Sequence, residues 1–383
     1  MSWDRASERL RFKGILSGKP LIGPRSVNVH LTNACDRRCR FCWYFSPMVS
    51  WREKRKDIDF DVLKRLIHDC AGMGVEEINL EGGEVALYPR VAEAFRLVHR
   101  LGMSLAAYTH LDYGREHLDY LRLADRLNVN LSATTAASYR RIHGKDGFGD
   151  VIDNLRLLSA MRTKYGKPSL VLTFIINEVN YREIEAYLDL TDRFQVDRVA
   201  FRLFEATVEM KSLVFSPGSM KPLLGIIARA GKGRHRAINN LSQIHDIISR
   251  KGFVKDRAAM APTKWNNDRL FYYHAVPQER VHCYTGWFNA LIDERGRVVA
   301  PCDNIGVCIA GNIYKGSFKD IWFGSVKFQK IRQDAMRCID IRKDRWRECR
   351  YCGHAELNRS VHAVLARVQS GPSGRGLKGL VRQ

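Results

Sequence analysis

SVNVHLTNACDRRCRFC, residues Ser26 to Cys42, joins a strand to a thiol-rich loop. Val27, Val29 and Leu31 alternate with polar Asn28 and His30, the two-residue period of a strand with one apolar face. Cys35, Cys39 and Cys42 then crowd into the loop leaving the strand's carboxyl end, where parallel α/β sheets bind ligands. Three thiolates converging on a four-iron cube leave one iron open to an exogenous ligand. A structural zinc loop, the alternative, pairs its cysteines and closes at four ligands.

The strand-then-helix pattern repeats downstream. Strands are expected at 76–80, 104–109, 128–132, 170–176 and 198–204. A helix beginning near Asp59 carries Leu63, Ile67, Cys70 and Met73 at helical spacing and stops at Gly72-Met-Gly74; others are expected at 151–161 and 181–194. Six βα units are too few to close an eight-stranded barrel of about 250 residues. The fold class is therefore α/β, a partial (β/α)6 barrel, with a small C-terminal cysteine-rich domain.

Five segments follow from the pattern: an N-terminal basic extension (1–25), the partial-barrel core (26–205), a bridging helical segment that covers the barrel mouth (206–280), a cysteine-rich domain (281–357) and a basic mobile tail (358–383). In the fourth, Trp287 to Asp293 runs out, Glu294-Arg-Gly296 turns and Arg297 to Ala300 returns, so a hairpin brings Cys283 and Cys302 together. Cys349-Arg-Tyr-Cys352 supplies a second pair. Four thiolates make a closed site suited to electron transfer or to a structural role, with a zinc ribbon as the rival. Cys308 and Cys338 are spare or replace one of the four, and Cys70 reads as a core thiol.

The 383 residues are 45% hydrophobic with only 11 Pro, which excludes disordered and collagen-like classes. The amino terminus lacks an apolar signal core and no stretch approaches the ~20 apolar residues of a span. A cytoplasmic location is expected, where the ten cysteines stay reduced and clustered ones bind metal or do redox chemistry rather than form disulfides. Net charge is +22, and most of it lies in 205–280 and 313–383, outside the core. It biases the partner toward an anion without naming the chemistry.

CxxxCxxC after the first strand, with Phe41 just before the last cysteine, resembles the radical SAM enzymes. Gly82-Gly83-Glu84, after the second strand, resembles their GGE motif. The resemblance implies a 4Fe-4S cluster on Cys35, Cys39 and Cys42, with S-adenosylmethionine chelating its open iron. The strand-end backbone and the Glu84 carboxylate hold the amino group. Reductive cleavage then yields a 5′-deoxyadenosyl radical that abstracts hydrogen from the substrate. The same resemblance implies cofactor contacts for Ser132 at the end of the fourth strand, Arg141 in YRRIHG, and Asn177 and Asn180 in FIINEVN; turn or surface polarity is the other reading of each. GGEV for GGEP, Tyr108-Thr-His110 for a TNG-like turn and LSATT for SLDG depart from the family pattern.

The region from Cys283 to Cys352 resembles the SPASM/twitch extension of some of these enzymes, through the Cys283–Gly296–Cys302 spacing, Gly311-Asn-Ile313, Ile321-Trp322 and the closing CxxC. No cysteine follows Cys352, so the shorter twitch form is expected, with one auxiliary 4Fe-4S cluster on Cys283, Cys302, Cys349 and Cys352.

These observations lead to a radical SAM enzyme acting on a peptide side chain or an anionic sugar-like molecule. The auxiliary cluster carries electrons, and a flavodoxin- or ferredoxin-like protein is the external reductant. Arg202 and Glu205, at the end of the sixth strand, are the expected substrate contacts. The alternatives are an RNA-modifying radical SAM enzyme or a nucleic-acid-binding protein with structural iron–sulfur or zinc sites, motivated by the basic run 231–236 and the aromatics at 271–273.

Overall fold

The computed structural model describes residues 5–42, 54–203, 206–207, 212–249, 269–270, 280–299, 308–337, 339–340 and 354–370. Its main elements are α1 (Ala6–Ser17), β1 (Ser26–Thr32), α2 (Phe60–Gly72), β2 (Glu77–Gly82), α3 (Val91–Arg100), β3 (Ser104–Thr109), β4 (Arg126–Asn130), α4 (Ala136–His143), α5 (Phe148–Tyr165), β5 (Ser169–Ile176), α6 (Ile184–Arg193) and β6 (Arg198–Leu203). Then come α7 (Pro217–Ala230), β7 (Ile238–Asn239), α8 (Leu241–Ile248), β8 (Asn289–Ile292), β9 (Arg297–Val299), β10 (Ile309–Asn312), α9 (Phe318–Gly324), α10 (Val326–Met336) and α11 (Ala355–Ser370).

One sheet organises all of this, in the order β10-β9-β8-β1-β2-β3-β4-β5-β6-β7. β1 to β6 are parallel, the six units of the expected partial barrel. Val27, Val29, Leu31, Ile78, Leu80, Leu105, Leu127 and Val129 are buried in one core with Leu63, Ile67 and Cys70 of α2. Each such side chain contributes about 1.5–3 kcal/mol relative to exposure. Asp59 caps α2, accepting from the N–H groups of Asp61 and Val62 at 3.0 Å each.

The alternate residues build a polar face. Register aligns His30 with Glu81 and Tyr108 with Asn128, while Asn28 stands opposite Asn79, their amides 3.1 Å apart. Arg126 donates to Glu77 at 3.1 Å and to Asn79 at 3.2 Å. Such rows are what alternation delivers when the opposite face packs on helices.

Three expectations change. The hairpin forms, with Leu291 opposite Val299 and Ile292 opposite Val298, but β8 pairs in parallel with β1, so the cysteine-rich region extends the core sheet. Its α9 also docks on α2, where Asp69 accepts the Phe318 N–H at 2.8 Å and Trp322 Nε1–H donates to Ile22 O at 3.0 Å. The bridging segment supplies α7 and α8 as expected, but α7 packs on α6 and α8 on β6, continuing the outer wrap, and β7 adds a parallel strand beside β6. Ile244, Ile247 and Ile248 are buried in the main core, which explains that placement. Finally, the segment read as a mobile tail begins with a packed helix: Val361 and Leu365 of α11 join Phe12, Ile15, Tyr284, Trp287 and Phe288 in a second apolar cluster. The i, i+4 spacing of those two residues puts them on one face. Residues 371–383 lie outside the described residues.

α1 is anchored as well. Arg11 and Glu8 are both buried; Arg11 Nη1 lies 2.7 Å from Glu76 and 3.2 Å from Glu8, which also pairs with Arg25. Among the described residues no helix is long and apolar enough to cross a membrane.

Candidate active site

The cysteine loop is clamped on two sides. On the first, Gly83 N–H donates to Thr32 O at 2.7 Å and Glu84 N–H to Ala34 O at 2.8 Å, fastening the end of β2 to the start of the loop. Gly82 has φ +137°, and a β-carbon there would lie 2.3 Å from Thr32 O; at Gly83 it would lie 2.1 Å from Ala34 O. The paired glycines are thus required by the approach of the loop backbone itself. On the second side, Arg38 N–H donates to His143 O at 3.2 Å and Arg40 N–H to Ile142 O at 2.9 Å, tying the loop to the end of α4. Buried Arg37 passes beneath, paired with Asp112, which also accepts from the Tyr139 hydroxyl at 2.7 Å.

Cys39 is buried, and Cys35 and Cys42 are partly exposed. Burial pushes the Cys35 thiol up to about 12, with nearby Glu84 and Cys42 adding to the rise. Cys39 is raised well above the usual range by burial and by its two companion thiolates. Buried thiolates that repel one another need a cationic metal centre to ionise, so this donor set fits an iron–sulfur cluster. Cys39 Sγ lies 3.2 Å from His143 Nδ1, and Cys35 Sγ lies 3.6 Å from His110 Nε2. Both imidazoles are held neutral, His110 with its pKa lowered by burial to about 4 and His143 well below the ordinary value. Donor atoms of Cys39, His110 and His143 lie within 4.8 Å of one another, a spacing that would also suit a single ion. The second nitrogen of His143 counts against that, since it accepts the Ser132 N–H at 3.1 Å and so leaves Nδ1 protonated.

The other expected cofactor contacts divide. Phe41 sits edge-on to His143, centroids 5.7 Å apart. Glu84 is buried, and its carboxylate accepts from Thr109 Oγ1 and His110 N, both at 2.8 Å, and from Ala86 N at 3.2 Å. It braces the ends of β2 and β3 from within the fold, and burial raises its pKa to about 7 against those three donors. Ser132 lies two residues beyond β4, not in it, because the strand ends at Asn130. Its hydroxyl accepts the Ile175 N–H at 3.0 Å, linking β4 to β5. Asn177 and Asn180 are fully buried and build the turn after β5, accepting from Val179 N and Asn177 N at 2.9 Å each. Arg141 is exposed on α4. Arg202 is likewise exposed on β6 opposite Ile175, close enough for its charge to act on Tyr108. Glu205, Cys302, Cys338, Cys349 and Cys352 lie outside the described residues. Cys283 is buried, and Cys308 packs on the edge of the main core.

Sequence reasoning passed over His110, His143, Tyr139 and the Arg37–Asp112 pair. It also passed over the His30–Glu81 contact of 3.6 Å. His143 stands two positions from Arg141 in the same motif, but nothing in the spacing says which side of α4 meets the cysteines. The polar alternation of β1 and β2 was the available signal for His30 and Glu81.

The sequence profile of the Radical SAM superfamily matches residues 29–191, and that of the SPASM iron–sulfur cluster-binding domain matches 283–353. A probable GTP 3′,8-cyclase of Saccharolobus islandicus (strain M.14.25 / Kamchatka #1) is 26% identical over 185 residues, 48% of this chain and 56% of that protein. The GTP 3′,8-cyclase of Synechocystis sp. is 26% identical over 180 residues, 45% of this chain and 52% of that one. The chain therefore spans about half the length of the curated relatives it matches. Among solved structures, Streptococcus suis SuiB bound to S-adenosylmethionine superposes with a TM-score of 0.58 at 14% identity, covering 81% of this chain and 68% of SuiB. Native anSMEcpe with bound AdoMet superposes with a TM-score of 0.56 at 14% identity, covering 93% and 99%.

Proposed function

Because this chain belongs to the radical SAM superfamily and carries a SPASM-type iron–sulfur domain, we propose that it is an enzyme abstracting hydrogen from a substrate bearing an anionic group, a peptide or a sugar-like small molecule. Cys35, Cys39 and Cys42 are the proposed ligands of the first 4Fe-4S cluster, and Cys283, Cys302, Cys349 and Cys352 those of the auxiliary one. When bound, the reduced first cluster with S-adenosylmethionine supplies a 5′-deoxyadenosyl radical, the species that takes hydrogen from carbon.

The chain's own residues prepare that chemistry. Gly82 and Gly83 let the second strand approach the cysteine loop closely enough to fix its path. Glu84 holds the His110 backbone and the Thr109 hydroxyl in place. Arg37, neutralised by Asp112, keeps the floor of the loop rigid without leaving an unpaired charge near the thiols.

The polar sheet face forms the proposed substrate wall. His30 and Glu81 can hold or pass a proton there: burial pulls the His30 pKa down, but the Glu81 hydrogen bond and the charges of Glu81, Glu294 and Asp293 together outweigh it and raise the pKa above its ordinary value. Arg202 supplies a cation for an anionic substrate group. In the proposed division of labour, residues 26–205 carry the radical chemistry and 281–357 carry electrons away. A flavodoxin- or ferredoxin-like protein is the proposed reductant.

The observation that carries this reading is the three-thiol loop clamped between Gly83 and α4 at the carboxyl ends of parallel strands, beside a polar wall. The test is anaerobic reconstitution followed by reduction in the presence of S-adenosylmethionine. About eight irons per chain and formation of 5′-deoxyadenosine are expected from two cubes. A chain that loads the first cluster yet makes no 5′-deoxyadenosine overturns the proposal.

A further inference from the structure

His143 is fully buried at the carboxyl end of α4, and three neighbours fix how its ring stands. Tyr139, one helical turn earlier, stacks on it with centroids 4.4 Å apart and planes at 26°. Phe41 meets it edge-on from the cysteine loop. The backbone N–H of Ser132 points at Nε2 from 3.1 Å. A backbone amide can only donate, so Nε2 is the acceptor nitrogen and the single proton of the neutral ring sits on Nδ1. Nδ1 faces Cys39 Sγ at 3.2 Å. The contact is therefore an N–H···S hydrogen bond, with its direction dictated by a backbone group on the far side of the ring.

We infer that His143 is a positioning residue that sets the reduction potential of the cluster held by Cys39, through the Nδ1–H···Sγ hydrogen bond that Ser132 N–H enforces. Reduction adds one electron and no proton, and part of the added charge falls on the cysteine sulfurs. A donor aimed at one of those sulfurs stabilises the reduced state more than the oxidised one and raises the potential. The Ser132 hydroxyl and carbonyl are held by Ile175 N and Asn180 Nδ2, so the amide that orders the tautomer is itself fixed by β5 and its turn. Buried polar residues at 132, 177 and 180 thus acquire a shared role as the support of this donor.

The inference rests on the proposed assignment of Cys39 as a cluster ligand. The test is an EPR-monitored redox titration of the reconstituted full chain, following the signal that changes when S-adenosylmethionine is added. His143→Phe keeps the ring stack and removes the donor. His143→Asn keeps an N–H at the Nδ1 position. In the Phe variant the ratio of reduced to oxidised cluster at a fixed poise is expected to fall about tenfold, which is 59 mV for one electron, and its Fe–S(Cys) stretching frequencies to rise. The Asn variant is expected to stay near wild type. Should the Phe variant not load iron, His143→Gln replaces it, since its amide reaches toward Ser132 and leaves Cys39 without a donor. Equal potentials in the donor-bearing and donor-free variants overturn the inference while leaving the cluster assignment intact. Failure of the wild-type chain to load any cluster at Cys35, Cys39 and Cys42 overturns that assignment instead.

Discussion

A β-carbon on Gly83 would lie 2.1 Å from the carbonyl oxygen of Ala34, immediately before the first cysteine of the loop. The contact involves backbone, which cannot swing aside as a side chain can. Gly83→Ala must therefore push the loop away from β2, breaking the hydrogen bonds to Thr32 and Ala34. The expected outcome is loss of about four irons per chain on reconstitution, with the auxiliary four retained. Gly149→Ala, in α5 with open space around the position, is the control and should load fully. Full iron content in Gly83→Ala would show that the clamp does not fix the loop.

Glu84 gives the fold a pH dependence of known sign. Its pKa of about 7 in the folded chain exceeds the ordinary 4.5, because burial outweighs its three donors. The folded state therefore binds this proton more tightly than the unfolded state. The corresponding stability is present below about pH 4.5 and is lost as pH rises through about 7, on the order of 3 kcal/mol. Urea unfolding of the wild type should show a larger drop from pH 5 to pH 8 than Glu84→Gln does. Parallel pH profiles for the two would remove Glu84 as the source.

How much of this was legible beforehand depended on whether the signal was local. The span of β1 follows from its alternation and the start of α2 from the helical spacing of Leu63, Ile67 and Cys70 after Asp59, both properties of a few adjacent residues. The three cysteines were legible for the same reason. The pairing of β8 with β1 was not, since it joins residues more than 260 positions apart and the alternation within each strand does not name its partner. Glu84 is the instructive case: its motif was recognised, but the carboxylate turns inward to Thr109 and the His110 backbone, a choice fixed by β3. Most of α11 falls in the segment 358–383 expected to be a tail, because the Gly and basic residues at 371–383 hide the short apolar stripe before them.

Arg11 connects the N-terminal helix to the sheet, with Glu8 and Glu76 as its partners and the Gly23 carbonyl accepting from Nε at 3.3 Å. Removing one member of a buried ion network strands the others. Arg11→Ala is expected to cost about 3–5 kcal/mol, read as a lower denaturation midpoint. The double replacement Glu8→Gln with Arg11→Met removes both charges and should recover a substantial part of that loss. An additive double mutant would mean that the two residues act independently.

Cys283 tests the proposed auxiliary site separately from the radical chemistry. Its N–H donates to Ala335 O at 2.8 Å, and burial raises its thiol pKa while the neighbouring Thr285 and Asn358 oppose the rise. A buried sulfur with polar neighbours that favour its ionised form suits a metal-bound thiolate better than a core thiol such as Cys70, which has only burial and the Asp69 charge acting on it. Cys283→Ala is expected to lower the reconstituted iron by about four per chain while 5′-deoxyadenosine formation persists. Cys70→Ala should leave iron unchanged and cost only stability, about 1–2 kcal/mol for a small cavity. If Cys283→Ala retains all of its iron, then Cys308 or Cys338 completes the auxiliary site in its place, and the pairing of Cys283 with Cys302 across the β8–β9 hairpin is wrong.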